Sequence, residues 1–201
     1  MTIKVIPAAL LAAMGLWGQP PTQGERDRVL SALHGSNKMF RDAVAGLSST
    51  QWTFKPAPDR WSIAQIAEHL ALVENGVFQL ITVQGLQSQD TPANRSDQAR
   101  KDELIIKALP DRTQKLQAPE KYQPSGQFKS GEEAAGAFLA ASAKCAAYIR
   151  ETQDSLRGHL LTHPAYGPLD LHQWFLLLAG HAERHTAQIL EVKADPNYPK
   201  R

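Results

Sequence analysis

Apolar residues recur every three or four positions in four long stretches of the chain, and the intervals between those stretches are polar and proline-punctuated. The first stretch opens at Glu25 and sets Leu30, Leu33, Phe40, Val44 and Leu47 on one face, with Asn37 filling the position between Leu33 and Phe40. That spacing predicts an amphipathic helix, ended by Gly46 to Ser49 ahead of Pro56-Ala57-Pro58. A second helix opens at Trp61-Ser62, where Ser62 as N-cap and Gln65 three residues on make a capping box. Its stripe of Ile63, Ile66, Leu70, Val73, Val77 and Leu80 runs to about Leu86. A third helix is predicted from Gly131 to Ser155, with Ala135, Phe138, Leu139, Ser142, Cys145, Ala146 and Ile149 turned inward. The fourth runs from Asp170 to Ala194 and is stopped by Pro196 and Pro199.

Residues 87–130 form a long polar connection that holds one shorter helical segment, Asp97 to Leu109, ended by Pro110. Such a connection is too long to join antiparallel neighbours directly, so it is predicted to cross the end of a bundle. Gly158 to Pro168 reads as a loop, and no repeat, Gly-rich phosphate loop or alternating strand pattern interrupts the helices. The expected fold is therefore all-α: a four-helix bundle with a long crossover connection between helices 2 and 3. The bundle domain takes in residues 23–195, and 196–201 form a C-terminal tail.

The N-terminus departs from this plan. Lys4 precedes a nearly unbroken apolar run from Ile6 to Trp17, followed by Gln19-Pro20-Pro21-Thr22. Residues 1–19 read as a secretory signal peptide, and the apolar run is about half the ~20 residues of a membrane span. The expected location is periplasmic or extracellular; the alternative is a cytoplasmic protein whose apolar N-terminal helix packs on the domain. One cysteine, Cys145, forms no internal disulfide and favours neither compartment. Lys and Arg total 22 against 20 Asp and Glu, and no basic block interleaves with aromatics, which argues against nucleic acid as a partner. A small-molecule substrate fits better, and a homodimer stays open.

Chemistry concentrates in the last helix, at His181-Ala182-Glu183-Arg184-His185. A helix advances about 100° and 1.5 Å per residue, so both imidazoles project from one face a turn apart. His185 falls in the middle of the apolar stripe, where an imidazole needs a hydrogen bond or a metal. On the second helix His69 lies three residues after Ile66 and four before Val73, bordering the inward face. Three His ligands in a bundle would leave a divalent transition metal with open positions, Zn or Ni leading among the ions that imidazole suits. The motif is not HExxH: Ala182 stands where that motif has its glutamate base, and Glu183 reads as a solvated charge.

Other candidates are weaker. Glu74 is the one catalytic candidate, as a carboxylate orienting a ligand or a general base. His34, Asn37 and Gln188 are candidates to line a pocket, and Cys145 reads as a small buried hydrophobe. His172 lies on the opposite side of its helix, His159 and His163 lie in the loop, and Trp61 and Trp174 read as packing anchors.

The run Trp61-Ser62-Ile63-Ala64-Gln65-Ile66-Ala67-Glu68-His69-Leu70, followed by His181-Ala182-Glu183-Arg184-His185-Thr186-Ala187-Gln188-Ile189, resembles the DinB-like superfamily. The resemblance covers about residues 25 to 195, including the approach Pro164-Ala165-Tyr166-Gly167-Pro168-Leu169. It implies a four-helix bundle that binds a divalent metal through one histidine of the second helix and two of the last, here His69, His181 and His185. Members include transferases and isomerases that use a low-molecular-weight thiol such as bacillithiol or mycothiol, so such a thiol is an implied cofactor. Membership does not decide the reaction. The metal would lower the pKa of a thiol, or of water for hydrolysis of a small substrate. An exported chain sits poorly with a cytosolic thiol, which favours hydrolysis. The competing reading is a non-catalytic bundle that binds a metal or small ligand.

Overall fold

Four of the helices in the computed structural model, which describes residues 18–89, 95–113 and 117–200, carry the apolar stripes. They are α1 (Gln23–Val44), α3 (Ile63–Gln79), α5 (Gly131–Glu151) and α6 (Leu171–Lys193). Two shorter helices accompany them, α2 (Ser49–Thr53) and α4 (Arg95–Ala108). Each main helix begins where a side chain takes up its first free N–H groups: Thr22, Ser62 and Asp170 close capping boxes with Glu25, Gln65 and Gln173, and Ser130 caps α5. The sequence expectation for α3 is met to the residue at its start. Helical turns then continue beyond Gln79, wide from Leu80–Gln84 and tight over Gly85–Gln87.

In the bundle α1 packs on α5 and α6, and α3 packs on the same two, so each of the four has two neighbours. The protein is an all-α four-helix bundle. Its core has two apolar clusters. One holds Leu33, Val77, Cys145, Ile149 and Phe175; the other holds Phe40, Ile66, Leu70, Phe138 and Ile189. Between them lies a polar layer in which buried Asn37 donates to Ser142 Oγ at 3.0 Å and Glu74 faces Ser142 and Cys145.

Three expectations are corrected. The crossover does not simply span the end of the bundle: α4 lies along α6, with Ile105 and Leu109 buried in the core. Gly180 makes this approach possible, since a Cβ there would come within 2.9 Å of Leu109 Cβ. α5 ends at Glu151, not Ser155, because Thr152 turns to extended backbone and Asp154 takes hydrogen bonds from Thr152 and Tyr148. The segment read as a loop contains a hairpin, β1 (Leu160–His163) antiparallel to β2 (Gly167–Asp170). Strands of four residues are too short for a period of two to stand out. The C-terminal tail packs on α2 and its following residue: Gln51 Nε2 donates to the Pro199 carbonyl at 2.9 Å and Tyr198 meets Phe54 edge-on. The signal-peptide expectation falls on residues 1–17, which lie outside the described residues. Among the described residues no helix is long and apolar enough to cross a membrane.

Burial pushes the Glu74 carboxyl up to about 7 from the usual 4.5, against the hydrogen bonds of Ser142 and Cys145. Between those two values Glu74 holds in the folded chain a proton that it has lost in the unfolded chain, so this group's contribution to stability falls as pH rises from about 4.5 to about 7 and then levels. At about 1.4 kcal/mol per unit the loss comes to roughly 3 kcal/mol. Glu74→Gln is expected to remove this slope and to exceed the parent in stability at pH 8 by urea denaturation. Parallel pH profiles for parent and variant would contradict it.

Candidate metal centre

The capping box at Ser62 fixes where α3 starts, and about two turns later His69 enters the interior at 3% exposure. α6 is buried without interruption from Leu171 to Gly180, and His181 and His185 follow one turn apart. Because α3 and α6 are neighbours in the bundle, the three imidazoles meet. His69 Nε2 lies 3.3 Å from His181 Nε2, and one ligand atom from each ring falls within 4.8 Å of the others. The ring centroids are 4.5 to 5.1 Å apart.

The donor set fits a divalent transition metal. Two nitrogens bound to one tetrahedral zinc at ~2.05 Å stand about 3.3 Å apart, which is the observed Nε2 separation of His69 and His181. The far nitrogens are already engaged. His69 Nδ1 donates to the Tyr122 carbonyl at 2.7 Å and His185 Nδ1 donates to Gln188 Oε1 at 2.9 Å, which leaves each Nε2 with a lone pair. Burial lowers the pKa of all three imidazoles, helped at His181 by His185 and His69 and at His185 by His69. They are therefore neutral at pH 7, the form that ligates.

Around the triad, Trp61 sets its ring 4.9 Å from that of His69 and stacks on His185 at 6.3 Å. The indole read as a packing anchor therefore also walls the site. Arg112, from the crossover, grips Glu191 through Nε at 2.7 Å and Nη2 at 2.9 Å, and its Nη1 reaches Gln188 Oε1 at 3.5 Å. Arg184 donates to the Asp111 carbonyl. The positive charges of Arg112 and Arg184 contribute to the lowered pKa of His185.

The family profile of the DinB superfamily matches residues 32–189. The chain belongs to that superfamily. This DinB superfamily member is 24% identical over 150 residues to the uncharacterized protein YuaE of Bacillus subtilis (strain 168), covering 75% of the present chain and 88% of YuaE. Its fold resembles that of YfiT from Bacillus subtilis, described as a probable metal-dependent hydrolase with an unusual four-helix bundle topology. The likeness has a TM-score of 0.56 at 13% identity and covers 89% of this chain and 91% of YfiT.

Other predicted site residues of this DinB superfamily chain lie elsewhere. His34 is exposed, because α1 turns Val29, Leu33, Ser36, Asn37 and Phe40 inward and position 34 falls off that face. Asn37 is buried but serves the polar layer through Ser142. Glu74, five residues and about 140° round the helix from His69, faces α5 and not the imidazoles. Gln188, read as a candidate to line a pocket, accepts a hydrogen bond from His185 Nδ1. Glu183 is half-buried in a recess of about 340 Å³ beside Arg28, Ala179 and Leu176, so its reading as a fully solvated charge is corrected.

Cys145 is fully buried, and burial pushes its thiol far up. His172 Nε2 donates to the Glu25 carbonyl, His159 Nδ1 to the Ser88 carbonyl, and His163 Nδ1 accepts from Ala165 and Tyr166. Trp174 packs in the core as expected. Sequence reasoning missed Glu68, Tyr122, Arg112 and Arg184 as neighbours of the site. Glu68 adjoins His69 and offered a clue, whereas nothing local marks a backbone carbonyl at Tyr122.

Proposed function

We propose that this protein is a divalent-metal-dependent enzyme that hydrolyses a small molecule, with His69, His181 and His185 as the metal ligands. The observation that carries this reading is the convergence of three neutral imidazoles whose oriented Nε2 atoms supply one side of a coordination sphere. YfiT's description as a probable metal-dependent hydrolase supports the same class. An ion so held supplies Lewis acidity at its remaining positions, lowering the pKa of water, or of a low-molecular-weight thiol in a transferase.

The chain's own residues do the rest. Gln188 and the Tyr122 carbonyl keep the ligands oriented, and Trp61 screens one side from solvent. Arg112 and Arg184 add positive potential, which favours a substrate carrying negative charge over a cationic one. Ala182 leaves the site without the base of an HExxH protease, so peptide hydrolysis of that type is not the proposal.

Untagged protein should carry near-stoichiometric zinc or nickel that His185→Ala loses. It should also hydrolyse members of a panel of small anionic esters, amides and lactones in a chelator-sensitive way. A parent that resists metal reconstitution would sink the metal reading. Metal binding without turnover would favour the non-catalytic bundle, and turnover only with added thiol would favour the transferase.

A further inference from the structure

We infer that the crossover segment 120–127 is a working part of the metal centre, and that Glu68 and Gly76 are positioning residues for His69. They hold that segment on α3 so that the imidazole keeps its Nδ1–H tautomer and offers Nε2 to the ion. The inference rests on the metal reading above, but it concerns the protein before any ion binds.

A carbonyl oxygen only accepts, so the 2.7 Å contact between His69 Nδ1 and the Tyr122 carbonyl requires the proton on Nδ1. Were that carbonyl to move away, the proton would be free to sit on Nε2, the atom that faces His181 at 3.3 Å. Two independent contacts keep Tyr122 in place, one on either side of His69 along α3. Gly76, two turns on, lies beneath the Tyr122 ring; a Cβ there would stand 2.6 Å from Cε1 and 2.7 Å from the hydroxyl oxygen. A larger residue would push the outer end of the ring aside, a smaller disturbance of the Tyr122 backbone than loss of the Glu68 contacts.

On the other side the Glu68 carboxylate, 4% exposed, accepts the backbone N–H groups of three consecutive loop residues. Ser125 N, Gly126 N and Gln127 N reach Oε1 at 2.9, 2.9 and 3.2 Å, and Gly126 N also reaches Oε2 at 3.1 Å. Ser125 Oγ adds a bond of 3.3 Å. Gly126 has φ +79°, a left-handed conformation that lets successive N–H groups converge on one anion. A single buried carboxylate thus ties five donor contacts of the loop to the residue next to a metal ligand, and residues 120–122 form one short turn leading into it.

The test measures the His69 tautomer by ¹⁵N NMR of the metal-free protein and zinc affinity by chelator competition, in the parent, Glu68→Ala, Glu68→Gln and Gly76→Ala. The parent is expected to show Nδ1–H at His69. Glu68→Ala and Gly76→Ala are expected to shift population to Nε2–H and to weaken zinc by about 10–100-fold. Glu68→Gln, which keeps one acceptor oxygen, should fall between. Folded variants whose tautomer stays Nδ1–H would overturn the inference, whether or not zinc affinity changes. If Glu68→Ala does not fold, Glu68→Gln and Gly76→Ala decide. Should the parent bind no metal at all, the metal reading fails while the tautomer shift still tests the positioning role by itself.

Discussion

Zinc at a free concentration about a thousandfold above its dissociation constant is expected to raise the folding free energy by about 4 kcal/mol. For a chain of this size that corresponds to a rise of roughly 8–16 °C in Tm. The unfolded chain scatters His69, His181 and His185 along the sequence, whereas the bundle holds their ligand atoms within 4.8 Å, so the ion binds the folded state preferentially. His185→Ala should abolish the shift, and His34→Ala, at an exposed site off the inward face, should leave it intact. Acid should act in the same direction as removing a ligand. Burial lowers the pKa of the three imidazoles from 6.5, so below about that pH the unfolded chain binds protons that the folded chain does not. The imidazoles' contribution to the stability of the metal-free protein then declines as pH falls, opposite in sign to that of Glu74, and is read as the difference between the parent and His185→Ala at the two pH values. Calorimetry with and without zinc, at pH 7.5 and 5.5, measures both effects; a Tm insensitive to zinc in the parent would contradict the first.

Arg157→Met is expected to cost about 3–5 kcal/mol at pH 7, the usual penalty for stripping the partner from a buried charge. Arg157 joins three elements of the fold: its Nε reaches Glu25 at 2.9 Å, its Nη groups reach both oxygens of Asp102 at 3.0 and 2.7 Å, and Nη1 reaches Asp170 at 2.9 Å. Asp102 and Asp170 are almost wholly buried, and Asp170 is also the N-cap from which α6 and its two histidines start. Methionine would fill the space but leave both carboxylates without a cation. Arg157→Lys should recover only part of the loss, since one ammonium cannot fork to three acids. Burial already raises Asp170 to about 6 even with the guanidinium beside it, and losing that guanidinium raises it further, so protonation relieves the variant first and the Asp170 part of the deficit should narrow as pH falls toward about 6. Urea titrations at pH 7 and pH 5 read the difference, and a variant within about 1 kcal/mol of the parent at pH 7 would refute the assignment.

The faces of the main helices and the start of α3 were legible because local signals mark them: apolar stripes of period 3.6, the capping box at Ser62, and prolines beyond the last helix. Ser62 with Gln65 places the start of α3 to the residue, and the expected start of α6 at Asp170 coincides with its N-cap. The hairpin and α2 escaped notice because segments of four or five residues contain too few positions for a period to emerge. His34 was misplaced because it falls off the inward face of α1, and Glu74 for a different reason. A stripe tells which side of a helix is buried but not which neighbour it meets, and Glu74 meets α5 while His69, on the same helix, meets α6.

The sequence alone thus determined a bundle of four amphipathic helices with a histidine pair a turn apart on one and a single histidine on another, since helix geometry follows from local spacing. Only the tertiary structure decided that α3 and α6 are neighbours, that the imidazoles converge, and that a distant carbonyl sets the tautomer of His69. The Tyr122 carbonyl lies 53 positions from His69, and no local pattern encodes it. Packing between helices selects such contacts through shape and charge, and those are properties of the assembled chain.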